Sequence, residues 1–375
     1  MMGLTPEDAL RLNVLLAGSL EAVRIDESSM TLYALSGKGE ARIKLNPNCR
    51  DESYLRQVRE TLSSHVLGSP GGYPVYLKRW TRMGQARDEI LESLLLLGEP
   101  EAVVAVVNAG GITDELARRA WWTSQTADNA RCMLRQEAVV SGSMGPVLAE
   151  FLIEFLPFEE DACDQIASVR LVLQGDLVDE SVRYSLWEKG RHKNAFYVGF
   201  LQSVPDALPE LPAASPAWEG LRGRLDKLAT AGNPYAMQLC RLLCPAGQAW
   251  LGTVQTVLKK PVNQDVMVEL MHAIAGYFQP LPFERAILTN MQDIKAAADH
   301  MLETAAGALP QLASLLDAVP DAVPQVRAML VLSMLDEALL NPVFSRTDAI
   351  GTVMRKKLKP VTEPVQEQLA ILAAQ

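Results

Sequence analysis

Leu94-Leu95-Leu96-Leu97-Gly98-Glu99-Pro100-Glu101-Ala102-Val103-Val104-Ala105-Val106-Val107-Asn108-Ala109-Gly110-Gly111-Ile112-Thr113-Asp114-Glu115-Leu116-Ala117-Arg118-Arg119-Ala120-Trp121-Trp122 decides the fold of this chain. Val103, Val106 and Val107, then Leu116, Ala120 and Trp121, fall three and four residues apart on either side of a glycine pair. That spacing gathers each set on one helix face. The pattern continues in both directions, with breaks at Gly98-Glu99-Pro100, Gly110-Gly111, Ser124-Gln125-Thr126, Gly142 to Pro146, Pro157, Gly175-Asp176 and Gly190. Breaks roughly 12 to 17 residues apart predict a HEAT-like array of paired antiparallel helices over 85–202. Such arrays offer long surfaces to partners and carry no reaction of their own.

Residues 1–84 follow a different rule. Thr5-Pro6-Glu7-Asp8 is a helix start, with Thr as N-cap and Pro in the first turn, and the helix runs to about Ala17. Period-two stretches follow at 22–25, 31–35 and 41–45, separated by Asp26-Glu27-Ser28-Ser29 and Ser36-Gly37-Lys38-Gly39. They predict an antiparallel meander with Val23, Ile25, Leu32, Ala34, Ile43 and Leu45 on its inner face. Asp51 is read as the cap of a second helix with the stripe Leu55, Val58 and Leu62. Tyr73 to Trp80 is expected to add a fourth strand. The whole is a small α+β module.

The sharpest interior break is 203–218, where Pro205, Pro209, Pro212 and Pro216 forbid a helix; it is either a linker or a loop pinned to the surface. Beyond it, 219–375 is helical, with helices expected near 218–231, 234–243, 247–258, 263–278, 283–306, 311–318, 324–340, 346–358 and 363–374. The chain is therefore mainly α. Whether this last region continues the array or forms a separate bundle stays open on sequence.

Composition narrows the function. Hydrophobic residues are 49% and charged residues 21% of 375, so the chain can bury a core. Lys+Arg number 35 against Asp+Glu 45, and a net charge of −10 argues against nucleic acid as a partner, because phosphate neutralisation dominates such binding. No run approaches the ~18 apolar residues of a membrane span, and no secretory leader is read at Met1 to Asp8. Five scattered cysteines do not form a disulfide framework. The expectation is a cytoplasmic protein with no membrane insertion.

Tests for chemistry find little. Cys240-Arg241-Leu242-Leu243-Cys244 places two thiols one helical turn apart, which suits either a thiol-based sulfur relay or two packed cysteines on an apolar stripe with Leu243. The four histidines, His65, His192, His272 and His300, form no metal-binding spacing, and no phosphate loop or nucleophile elbow occurs. No catalytic residue, metal or cofactor is assigned, and the chain is read as non-enzymatic. One surface stands out: Tyr73, Tyr76, Lys78, Arg79, Trp80, Arg82 and Arg87 gather at the module–array junction. Trp, Tyr and Arg are the residue types that dominate binding hot spots. The rings either pack on the first array helix with the cations turned to water, or form a site for a protein partner or a small anion.

The run Tyr73 to Arg87, with Leu94 to Val103 and Leu116 to Trp122, resembles the DsrS family of soluble sulfur reduction proteins, encoded with the reverse dissimilatory sulfite reductase system of sulfur-oxidising bacteria. The likeness is clearest over about Leu4 to Gln202. It implies an accessory protein of cytoplasmic sulfur oxidation whose partners are components of that machinery. It transfers no catalytic residue.

Overall fold

The computed structural model describes residues 4–68, 88–284, 286–345 and 349–373. The chain is mainly α, with one small sheet near the N-terminus. It divides into two units, Met1–Phe155 and Leu156–Gln375. The boundary falls inside 85–202, so the helices after Phe155 belong with the C-terminal ones.

Unit 1 opens with α1 (Pro6–Leu16), then β1 (Leu20–Asp26), β2 (Thr31–Ser36) and β3 (Gly39–Lys44), and α2 (Asp51–Leu67). Thr5 caps α1 by accepting the Asp8 N–H at 3.4 Å, as its sequence pattern predicts. The strands form the expected antiparallel meander in the order β1-β2-β3, with Val23 opposite Ala34 and Leu32 opposite Ile43. Asp26 holds the first hairpin by accepting from the Ser28 N–H at 3.0 Å and the Ser29 hydroxyl at 2.6 Å. Val23, Leu32, Ala34, Ile43 and Leu45 are buried against Leu12 and Leu16 of α1 and Leu55, Val58 and Leu62 of α2, with Ile25 partly buried at the edge. Each such aliphatic side chain contributes about 1.5–3 kcal/mol on leaving water.

The N-cap of α2 is Arg50 rather than Asp51, and no side chain caps this end. Asp51 instead sits in the first turn, where its charge still complements the helix dipole. The fourth strand expected at Tyr73–Trp80 lies outside the described residues.

Every regular element described between 88 and 155 is a helix: α3 (Asp88–Leu94), α4 (Pro100–Val107), α5 (Asp114–Thr123), α6 (Ala127–Met133), α7 (Glu137–Val140) and α8 (Met144–Phe155). The adjacent tryptophans divide their work, as one helix stripe cannot bury both rings. Trp121 is buried edge-to-face on Phe151 of α8, centroids 4.8 Å apart. Trp122 turns to the sheet, where its Nε1 donates to Glu40 at 3.0 Å and its ring lies 4.9 Å from the Arg24 guanidinium. At the start of α8, the Asp114 carboxylate accepts from the Ser143 and Met144 N–H groups, both at 2.9 Å. A Cβ at Gly142 would lie 2.3 Å from that carboxylate, so the close approach requires glycine there.

Unit 2 holds a short 3-10 turn (Leu156–Phe158), α9 (Ala162–Val172), α10 (Glu180–Gly190), α11 (Asn194–Ser203), α12 (Trp218–Thr230), α13 (Pro234–Leu243), α14 (Pro245–Lys259) and α15 (Gln264–Tyr277). Then come α16 (Met291–Ala308), α17 (Pro310–Ala318), α18 (Val323–Ser333), α19 (Asn341–Phe344) and α20 (Gly351–Leu372). Helix α11 packs on α9, α14 and α15, so helices on both sides of the proline-rich stretch share one core. The stretch is thus a pinned loop. Leu208 is buried, the Ser215 N–H donates to Leu243 O at 2.9 Å, and Arg191 reaches Glu210 at 2.9 Å.

Three helix expectations differ: the helix expected over 324–340 ends at Ser333, and a separate 3-10 turn, Glu337–Leu340, is capped by Asp336, which accepts the Ala338 N–H at 2.9 Å. Helix α16 begins at Met291, capped by Asn290, which accepts the Asp293 N–H at 2.9 Å; 283–284 and 286–290 are not helical. Helices expected at 346–358 and 363–374 are one helix, α20, running through Pro360 and Pro364. Its buried stripe Met354, Leu358, Val361, Val365, Leu369 and Leu372 is continuous across both prolines. Packing along that stripe outweighs the hydrogen bonds that two prolines remove.

Candidate interaction surfaces

Tyr73, Tyr76, Lys78, Arg79, Trp80, Arg82 and Arg87, the junction cluster picked from sequence, lie outside the described residues. The thiol pair does not. Cys240 and Cys244 are both partly buried, beside and not within the fully buried set Leu239, Leu242 and Leu243. Cys244 caps the helix, its N–H donating to Cys240 O at 3.1 Å, so the pair keeps its one-turn spacing and the extended ψ of 166° turns only the chain beyond it. Its thiol faces Arg241 O at 3.2 Å. Burial, and secondarily the charge of Asp226, pushes the Cys240 thiol up to about 11. A relay sulfur needs the opposite, a thiolate favoured near neutral pH.

Arg241, between the two cysteines, does structural work. Its guanidinium lies 3.7 Å from the Tyr277 ring centroid, donates to Asp206 through two bonds of 2.7 Å, and donates to Tyr277 O at 2.9 Å. Tyr277 in turn stacks on Trp250, centroids 3.9 Å apart. This block fastens the Asp206 end of the proline-rich loop to α13 and α15.

A surface that sequence reading passed over is more promising. The C-terminal end of α14 and the first half of α20 enclose a groove of about 310 Å³ lined by Lys259, Arg355, Lys356 and Lys359, with Thr352, Thr362 and Gln366 as further donors and one carboxylate, Glu363. Residues 352, 355, 356, 359 and 363 share one helix face, opposite the buried stripe. Arg355 is held in place, donating to Pro261 O at 3.3 Å and the Thr352 hydroxyl at 3.0 Å. Lys359 pairs with Glu363 at 3.1 Å. Lys259 and Lys356 have no ion-pair partner among the described residues. The visible signal was the run Arg355-Lys356-Lys357-Leu358-Lys359, a basic cluster on an acidic chain. Lys259 joins it only through folding.

Among the described residues no cluster of three or more His, Cys, Asp or Glu is placed to hold a metal. Nor is any described helix long and apolar enough to cross a membrane. Comparison of the chain with protein families, with curated proteins and with solved structures finds no match.

Proposed function

We propose that this chain is a non-enzymatic helical adaptor that docks an acidic protein partner. The observation that carries the reading is the groove of Lys259, Arg355, Lys356 and Lys359 on a chain of net charge −10. A concentrated positive surface against a negative background steers and registers a partner of opposite charge. The resemblance to DsrS over Leu4 to Gln202 supports a place for the adaptor in cytoplasmic sulfur oxidation, with components of the dissimilatory sulfite reductase machinery as the partners it implies.

The test is affinity purification from a sulfur-oxidising bacterium, with mass spectrometry of captured proteins. Wild-type chain and the variant Lys259→Glu, Lys356→Glu, Lys359→Glu are compared. The reading expects capture of acidic sulfur-oxidation proteins by wild type and their loss from the variant. Capture unchanged by charge reversal counts against the groove, and capture of unrelated proteins counts against the pathway. The rival thiol relay is tested by native-state labelling: with Cys240 pushed up to about 11, a bulky maleimide should react slowly at pH 7. Rapid labelling of both Cys240 and Cys244 would restore the relay.

A further inference from the structure

Among the described residues strand β3 is an open edge. The sheet order is β1-β2-β3, and β1 is met on its far side by the Leu95 carbonyl, which accepts the Val23 N–H at 2.8 Å. Ser36 and Gly39 pair across the two-residue loop Gly37-Lys38, so antiparallel alternation turns the backbone groups of Gly39, Ala41 and Ile43 toward β2. Those of Glu40, Arg42 and Lys44 point outward, and among the described residues no backbone hydrogen bond reaches them. Unpaired edges of this kind are templates for another strand.

A groove of about 780 Å³ runs along this edge, between α1 and β3. Leu10 and Val14 of α1 supply its apolar wall and are 65% and 68% exposed. Arg11, Arg42 and Lys44 line it, and among the described residues no carboxylate does. Arg11 is engaged by Glu7, and the Lys44 ammonium donates to Ser29 O. Arg42 has no ion-pair partner among the described residues. The groove therefore combines three features: free backbone donors and acceptors, an apolar wall on one side, and uncompensated positive charge on the other.

We infer that β3 takes up an extended, acidic segment of a partner protein as a fourth, edge-added strand. Main-chain bonds to Glu40, Arg42 and Lys44 supply affinity. Alternate side chains of the incoming strand then divide by the pleat: carboxylates face Arg42 and Lys44, and branched apolar residues face Leu10 and Val14. Charge selects against two other occupants. A second copy would bring its own basic groove, and Tyr73–Trp80 of this chain carries Lys78 and Arg79. This site is independent of the α14–α20 groove and of the adaptor's assignment to any pathway.

The probe is a fluorescein-labelled, amidated peptide Glu-Val-Glu-Thr-Glu-Val-Glu, with the Lys-for-Glu peptide as its counterpart, titrated into the full chain by anisotropy. The Glu peptide should bind, and the Lys peptide should bind at least tenfold more weakly. Arg42→Glu with Lys44→Glu should weaken binding tenfold or more with the melting temperature unchanged. Arg42→Pro should do the same, since it removes an outward N–H that β2 does not use. Each titration is run in a Lys259→Glu, Lys356→Glu, Lys359→Glu background that silences the adaptor groove, and the same pattern should persist there, which separates the two sites. Hydrogen exchange should show the Arg42 and Lys44 amides fast in the free chain and slowed by peptide. The inference is overturned if the Glu peptide does not bind, if both peptides bind alike, or if both Arg42 variants bind as wild type. Protection of those amides in the free monomer assigns the edge to the chain's own segment. A dimer abolished by Arg42→Pro assigns it to a second copy. Either result also overturns the inference.

Discussion

Tyr54 in unit 1 and Tyr277 in unit 2 are both buried, and their hydroxyls meet opposite surroundings. Tyr54 donates to the fully buried Asp8 carboxylate at 2.6 Å and lies 3.1 Å from the Thr5 hydroxyl, while the Asn46 N–H also donates to Asp8, at 2.7 Å. The network ties α1, α2 and the chain after β3 to one carboxylate. Burial, and secondarily Asp8, raises the Tyr54 pKa. Tyr277 is also raised by burial, yet its hydroxyl has no hydrogen-bond partner among the described residues, and neither has the Nε1 of Trp250 stacked on it. At Tyr54 a buried hydroxyl is spent on fixing a geometry. At Tyr277 an orphaned one is tolerated because the aromatic area buried around it outweighs its cost.

The largest effect expected from this contrast is at Trp250. Replacement by Ala deletes a fully buried ring stacked on Tyr277 and edge-to-face with Phe278, and should cost about 3–5 kcal/mol in denaturant unfolding. A loss under about 1 kcal/mol would mean that the aromatic block does not hold unit 2. Next is Tyr54→Phe, which leaves Asp8 buried with one donor fewer and should destabilise by about 1–3 kcal/mol. Tyr277→Phe makes the same chemical change and should be neutral or slightly stabilising, within about 0.5 kcal/mol, because the hydroxyl it removes is unpaired. Equal losses from the two Tyr→Phe variants would erase the distinction between the units.

Acid gives a smaller, graded effect. Asp26 is lowered to about 2 by the Ser29 and Ser28 hydroxyls, and Glu115 to about 2, chiefly by its bond from Arg118. A carboxylate depressed in the folded state stabilises above its unfolded pKa, and that contribution disappears as pH falls through the folded value. Unit 1 should therefore lose stability progressively between about pH 4.5 and pH 2. Asp26→Asn should flatten that dependence in melts across this window; an unchanged slope would show that the hairpin turn does not contribute.

Much of this was legible in the sequence, and the failures have physical causes. Helix caps and hairpin loops are local chemistry, so Thr5, Asp26 and the break glycines announced themselves. The inner face of the sheet followed from period-two alternation alone. The helix through Pro360 and Pro364 was not legible, because tertiary burial of its stripe overrode a local rule. Nor was the grouping of α9–α11 with the C-terminal helices, since packing partners are not encoded in helical spacing. The one-turn spacing of Cys240 and Cys244 was legible, whereas their partial burial beside the apolar stripe was not, because it depends on what packs against the helix end. The α14–α20 groove joins Lys259 to Arg355 from distant parts of the chain, and the β3 groove depends on which strand is left at the edge.

As proposed above, the α14–α20 groove engages acidic protein surface. Its most direct test is an anisotropy titration of a labelled poly-glutamate peptide into wild type and into the variant Lys259→Glu, Lys356→Glu, Lys359→Glu at rising salt, in an Arg42→Glu, Lys44→Glu background that silences the β3 edge. Binding that weakens with salt and drops at least tenfold in the charge-reversed variant is the predicted result. Equal binding by both proteins at every salt concentration would contradict it.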